Sequence, residues 1–408
     1  MQSVKSPSIF SIPVLVAALG YFVDIYDLLL FGIIRKPSLA SLGLLPQEVL
    51  TQGEFIISVQ MVGLLLGGIL WGVMGDKKGR LSVLFGSIIL YSLANIANGM
   101  VTTVNQYALL RFIAGVGLAG ELGAGITLVS ELLSKEKRGL GTSLVAGFGL
   151  TGAIVAYFIS KEFDWRVCYY IGGAMGLLLL VLRISVFESA MFTLVKETKV
   201  IRGNFFMFFT NKGRFSKYIK CILIGLPTWF VIGVLVSFSD QFGIRMNLTE
   251  TVDPGKAIMF AYVGISVGDV AVGFVSQALK SRRKALFIFY VLTMITMVFF
   301  FMQNGGSAFT MYVICAGLGF ATGFWAIFVT IAAEQFGTNL RATAATTVPN
   351  MVRGALPLII LLFKSLREMT GFITGAIITA IIIMIITWIA AYYTKETFGK
   401  DLRYVEAT

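Results

Sequence analysis

The sequence predicts an all-α membrane protein of about twelve transmembrane helices in two six-helix bundles. Three observations carry that prediction. The 408 residues are 57% hydrophobic and 13% charged, with a mean hydropathy of +0.86, where a soluble domain carries about 25% charged residues. Apolar runs recur along the whole chain, long enough for helices to cross a hydrocarbon core of about 30 Å. Motifs in the first half also return, loosely, in the second. The runs exceed the ~10-residue alternating strands of a membrane barrel, so the spans are helical, with every backbone group satisfied inside its own segment.

In chain order, spans are expected near 9–34, 50–74, 81–101, 106–132, 140–160, 165–187, 219–242, 256–279, 284–303, 309–334, 340–364 and 371–393. What separates them fixes their direction. "DKKGR" (76–80) follows the second span, "KEKR" (135–138) the fourth, a basic 188–218 loop the sixth and "KSRRK" (280–284) the eighth. These clusters all fall on one side, and basic residues stay cytoplasmic, so both termini are expected in the cytoplasm of a multi-pass inner-membrane protein. The expected units are an N-terminal bundle (1–187), a cytoplasmic linker (188–218) and a C-terminal bundle with a short tail (219–408). The +12 formal charge is thus a topology signal facing lipid headgroups rather than a nucleic-acid footprint.

Other classes are excluded by what the chain lacks. It has no histidine, and its three cysteines (Cys168, Cys221, Cys315) sit in or beside apolar runs without metal spacing. No metal, cofactor or disulfide is expected. A catalytic site would need a clustered nucleophile and base, which the sequence does not offer, so the chain is read as a non-enzyme. The N-terminal apolar run is too long for a cleavable signal.

The internal repeat is specific in two places. "GVMGDKKGRLSVLF" (72–85) is echoed by "GFVSQALKSRRKALF" (273–287), and "SELLSKEKRGLGTS" (130–143) by "AEQFGTNLRATAAT" (333–346). In the second pair a glutamate precedes an arginine by the same interval: Glu131 and Arg138, Glu334 and Arg341. Two duplicated halves around a midplane site are the layout of a secondary transporter.

"GVMGDKKGR", with Gly72, Gly75, Asp76, Lys77, Gly79 and Arg80, resembles the loop signature of the major facilitator superfamily. Within it, "DIYDLLLFG" (24–32) and "RFIAGVGLAGELGAGITLVSE" (111–131) are similar to the first and fourth helices of the metabolite:proton symporter group. The chain departs from that pattern at Asp24, where glutamate is more usual, at Leu122, where an aromatic is common, and in the second-half loop. The resemblance implies a fold of two bundles whose first and fourth helices line a central cavity. It also implies that Gly72, Asp76, Lys77 and Arg80 tune the conformational switch, with Glu131–Arg138 and Glu334–Arg341 as matching latches.

Ionisable groups at membrane depth cost at least about 2.5–3.5 kcal/mol each, which makes them functional candidates. Here they are Asp24, Asp27, Arg111, Glu121, Asp269 and Arg353; Asp240 sits near a helix end, where water would reach it. Asp24 and Asp27 are three apart and share a helix face. At ~1.5 Å per residue, Asp27 lies about 10 Å and Arg111 about 8 Å deep; on two helices that the resemblance places around one cavity, the two are expected to pair, and Asp27 is otherwise a further proton-coupling candidate. Asp24, deeper and without a cation, is either a proton carrier, since desolvation favours the neutral acid, or a helix–helix hydrogen bond. Glu121, among small residues, is either a second coupling group or a structural bond. Arg111 either holds Asp27 or grips a substrate carboxylate. Arg353, amid Pro349, Gly354 and Pro357, either pairs with Asp269 or faces the substrate. Tyr21, Tyr26, Trp229, Phe324 and Trp325 are candidate substrate contacts or packing.

The expected function is proton-coupled uptake of a small anionic or zwitterionic metabolite by a monomer in the lipid bilayer. Sodium would suit the same carboxylates. An antiporter exporting amphipathic compounds is the alternative, against which Arg111 and Arg353 count; a passive channel would show neither saturation nor proton coupling.

Overall fold

The computed structural model describes residues 10–133, 135–183, 204–400 and 404–406. Among them, twelve helices are long and apolar enough to cross a membrane: α1 (Ile12–Ser41), α2 (Pro46–Lys78), α3 (Leu81–Asn98), α4 (Val104–Ile126), α5 (Leu144–Glu162), α6 (Trp165–Leu182), α7 (Lys212–Val236), α8 (Pro254–Ala278), α9 (Arg282–Phe301), α10 (Ala308–Gln335), α11 (Arg341–Thr370) and α12 (Phe372–Tyr392). Every expected span has its helix. The observed helices overrun several predicted ends, because hydropathy marks only the part inside lipid. α1 continues through Arg35, Lys36 and Pro37 to Ser41. α7 starts seven residues early, where the Asn211 side chain accepts from the backbone N–H of Gly213 and Arg214, a side-chain cap that satisfies orphan donors. Of the expected linker, 188–203 lies outside the described residues; the rest forms a short 3-10 turn, Phe205–Phe208, and the first turns of α7.

The two halves pack alike. α2 lies on α4 and α3 on α6; six helices later, α8 lies on α10 and α9 on α12. The close crossings are glycine-built in both. A Cβ on Gly63 or Gly115 would fall 2.3 Å from a carbonyl oxygen of the facing helix, and on Gly264 or Gly319 within 2.0 Å and 1.9 Å. Small residues let membrane helices approach this closely. The glycine in the 72–80 loop has its own reason. Gly79 joins α2 to α3 with φ +104°, a conformation a Cβ would forbid.

Five spans are interrupted, α5 at Thr151 and α11 at Ala355 among them. α4 turns at Ala119–Gly120 before a second segment, Glu121–Leu132. α10 breaks at Gly323–Phe324, and α7 ends in a π-helical stretch, Val231–Val236. Such breaks free backbone groups and belong beside cavities.

The halves meet on both faces, so this conformation is occluded. On the face carrying the chain ends, the Asp76 carboxylate accepts from the Thr343 N–H at 2.8 Å and its hydroxyl at 2.6 Å, joining α2 to α11. On the opposite face four ion pairs to three carboxylates cross between halves: Arg35 and Lys36 to Asp240 (3.3 and 2.9 Å), Arg367 to Glu54 (2.8 Å) and Lys161 to Asp253 (2.7 Å). Between them, a central void lined from both halves measures only about 20 Å³.

Candidate transport site

The first charge constellation forms where sequence depth placed it. Arg111 on α4 donates from Nη1 to the Asp27 carboxylate at 2.9 Å and from Nη2 to the Asp27 carbonyl at 3.0 Å. Its Nε reaches Gln60 on α2 and its Nη1 also reaches Asn95 on α3, both at 3.3 Å. Both members of the pair are fully buried. The α2–α4 crossing brings Gln60 here, since Gly115 leaves the Gln60 backbone room to approach. Arg111 is therefore locked to its own bundle rather than free for substrate. A charge pair removed from water survives only when the remaining donors are satisfied too, and Gln60 and Asn95 supply that satisfaction.

One turn towards the chain-end face, Asp24 is different. It is buried, and neither carboxyl oxygen has a hydrogen-bond partner. It lies within electrostatic reach of Arg353 across the interface. Tyr21 on α1 and Tyr262 on α8 feel the same two charges, and the Tyr21 hydroxyl is also unpartnered. The Arg353 guanidinium stands over two indoles, 5.9 Å from the ring centre of Trp229 and 5.7 Å from that of Trp325. That is cation–π range. Its Nη1 donates to Asn350 at 3.2 Å, and its Nε has no partner. Arg353 and Asp269 form no ion pair. Asp269 instead accepts from the backbone N–H of Ala326 at 2.9 Å, capping the segment of α10 that starts at Trp325. One carboxylate thereby holds the broken helix in the position that aims Trp325 at Arg353.

Glu121 begins the second segment of α4 and forms a buried ion pair with Arg183, just past α6. Arg183 Nη1 reaches its Oε2 at 3.0 Å. The pair lies against Gly20 of α1, where a Cβ would overlap the Glu121 carboxylate. Tyr26 is turned away from the interface, its hydroxyl donating to the Cys168 carbonyl at 2.9 Å. Phe324 packs edge-on against Tyr290. Asp76 and Gly72 sit at the α2–α11 contact, while Lys77 is exposed. Glu334, expected to latch with Arg341, pairs with Arg282 at the start of α9 at 3.1 Å. The side chains of Arg80, Glu131 and Arg138 lie outside the described residues. Asp240, expected to be wet, is buried and paired with Arg35 and Lys36.

Sequence reasoning missed Arg35, Arg183, Gln60 and Asn95. The three-residue step from Tyr21 to Asp24 to Asp27 was a usable signal for Tyr21 over Tyr26, because those positions share one helix face. No local signal marks Arg183, whose partner is far away in sequence.

Comparison with known proteins agrees with this geometry. The model of the Major Facilitator Superfamily matches residues 17–359. The niacin transporter NiaP of Acinetobacter baylyi is 26% identical, the match covering 96% of this chain and 95% of that protein. The 3-(3-hydroxy-phenyl)propionate transporter of Escherichia coli is 26% identical over 78% of this chain and 79% of that one. Among solved structures, the proton:xylose symporter XylE bound to 6-bromo-6-deoxy-D-glucose superposes with a TM-score of 0.77 at 17% identity, covering 97% of this chain and 98% of that one. That last likeness speaks to the fold.

Proposed function

The chain belongs to the Major Facilitator Superfamily of membrane transporters, and on that premise we propose that it couples proton entry to uptake of a small aromatic or similarly planar carboxylate across the cytoplasmic membrane, working as a monomer with its termini inside. The observation that carries this reading is an unpartnered Asp24 within electrostatic reach of an indole-flanked Arg353 across the interface between halves. A guanidinium offers paired N–H donors that match a carboxylate, and two indoles supply flat apolar walls for a ring. Niacin and a phenylpropionate, the compounds named for two relatives, share a ring and a carboxyl group.

In the mechanism this supports, Asp24 takes a proton from the outer side while Arg353 takes the substrate carboxylate. Burying a charge without a donor is costly, so the loaded site closes only when Asp24 is neutral and Arg353 is matched by an anion. The halves then rock about the site. The Asp76–Thr343 contact yields, and inward release of substrate and proton resets the carrier. Asp27–Arg111 and Glu121–Arg183 are already internally neutral, so they brace α1, α4 and α6 as one body through the cycle.

The test is proton flux into dye-loaded proteoliposomes on adding a panel of aromatic acids, aliphatic acids, amino acids and amphipathic cations. Proton entry with a ring-bearing acid, abolished by Asp24→Asn while substrate exchange persists, is the expected result. Proton release on adding cations, with no response to any acid, would overturn uptake and favour export.

A further inference from the structure

Arg35 is a buried arginine that the transport site does not use. It is 2% exposed, yet only one of its nitrogens is bonded: Nη2 to Asp240 at 3.3 Å, with Nε and Nη1 unpartnered. Its stem passes Gly53 of α2, and its guanidinium lies 4.8 Å from the Phe238 ring centre. It lines a cavity of about 320 Å³ on the face opposite the chain ends, with Lys36, Ala40, Leu44, Asp240 and Gln241 among its walls. Asp240 is shared, because Lys36 also holds it at 2.9 Å. Two cations thus face one carboxylate at the mouth. Beside them Arg367 is matched by Glu54, and Arg245 bonds only to Gln241 oxygens and stacks on Phe372. The mouth carries net positive charge.

We propose that Arg35 and Lys36 form an outer docking site for the substrate's carboxylate, where the incoming anion takes the free guanidinium N–H groups and displaces Asp240. Arg35 and Lys36 belong to one half and Asp240 to the other, so the exchange also opens a latch. Arrival of an anion on this face would therefore loosen the seal above the central site, and a neutral analogue would leave it shut. The outward assignment rests on the topology proposed above. Anion exchange at Arg35 is a binding event, so it can be tested without transport.

The experiment uses purified full-length protein carrying Arg353→Gln, which removes the central anion anchor, titrated calorimetrically with nicotinate and with nicotinamide as the uncharged control. Nicotinate is expected to bind weakly and nicotinamide not at all. Adding Asp240→Asn should tighten nicotinate binding about tenfold by removing the competing anion, and adding Arg35→Gln should loosen it by at least tenfold. Tightening cannot arise from a damaged fold, so the Asp240 variant guards against a misfolded Arg35 variant. Unchanged or weaker binding on adding Asp240→Asn, or equal binding of nicotinate and nicotinamide, would overturn the proposal. Failure of the uptake reading would show instead as absent proton flux in vesicles with this binding intact.

Discussion

Removing either member of the Asp27–Arg111 pair should cost far more than removing both. Arg111 makes four hydrogen bonds, two of them to Asp27, and neither side chain is reached by solvent. Arg111→Met strands a buried carboxylate; Asp27→Leu strands a buried guanidinium that keeps only its weaker 3.3 Å contacts and the carbonyl. Breaking a buried pair from one side costs about 3–5 kcal/mol, most of it the penalty on the partner left behind. Each single variant should lose that much, and if the effects were independent the pair would lose about 6–10 kcal/mol. The double variant strands no charge, so it should lose no more than either single. That is a coupling of about 3 kcal/mol or more, at or above the upper end seen for residues in contact. The assay is reversible unfolding in mixed micelles of a mild detergent and dodecyl sulfate. Additivity within about 0.5 kcal/mol would refute the argument and mean that water or lipid headgroups already solvate the pair.

Three other outcomes are expected. Gly115→Ala puts a methyl 2.3 Å from the Gln60 carbonyl; overpacking of this kind costs about 1–3 kcal/mol, so thermal stability should fall and Arg111-dependent transport with it. Thr343→Val removes the hydroxyl that donates to Asp76, leaving a buried carboxylate short of a donor at about 1–3 kcal/mol; spin labels across α2 and α11 should then report a larger open population on the chain-end face. The Asp240 latch has a defined pH window. Burial pushes its carboxyl up, but Arg35, Lys36 and the hydrogen bonds from Lys36 and Gln241 outweigh that and hold it below the usual range. A depressed folded value means its contribution is complete above the unfolded value of roughly 3.9 and is lost as pH falls through the folded one. Alkylation of Ser239→Cys, buried beside Asp240 in a chain whose three cysteines are also buried, read against a fully exposed reference cysteine so that the falling thiolate fraction cancels, should therefore be constant from neutral pH to about 5 and rise only in stronger acid.

Much of the architecture was legible because membrane burial leaves a long-wavelength signal. Twelve apolar runs became twelve helices among the described residues, and the matching depth of Asp27 and Arg111, on two helices that the family resemblance places around one cavity, anticipated their pairing. What failed was anything set by rotation or by a neighbour from another helix. Arg35 falls one residue past the expected end of the first span, but α1 carries it on and Phe238 and Asp240 enclose it. Glu334 stands at a repeat-matched interval from Arg341, yet Arg282 enters from α9 and takes the carboxylate. Asp269 offered itself as a partner for Arg353; the break in α10 presented a bare backbone N–H instead, and the cap won. Interval and depth are one-dimensional quantities, and partner choice between helices is not.

The division of charge between the halves has an electrical consequence. Asp27–Arg111 and Glu121–Arg183 cancel within the first half, Asp269 is spent on a helix end, and Asp24 and Arg353 are left as the charges that would change in the proposed cycle. One proton on Asp24 and one monoanion on Arg353 together add zero charge to the moving body. A charge crossing the membrane would otherwise feel about 2.3 kcal/mol per 100 mV. A carrier wired this way would draw on the acidity difference between compartments and ignore voltage, accumulating its cargo equally well in cells that are depolarised but still acid outside.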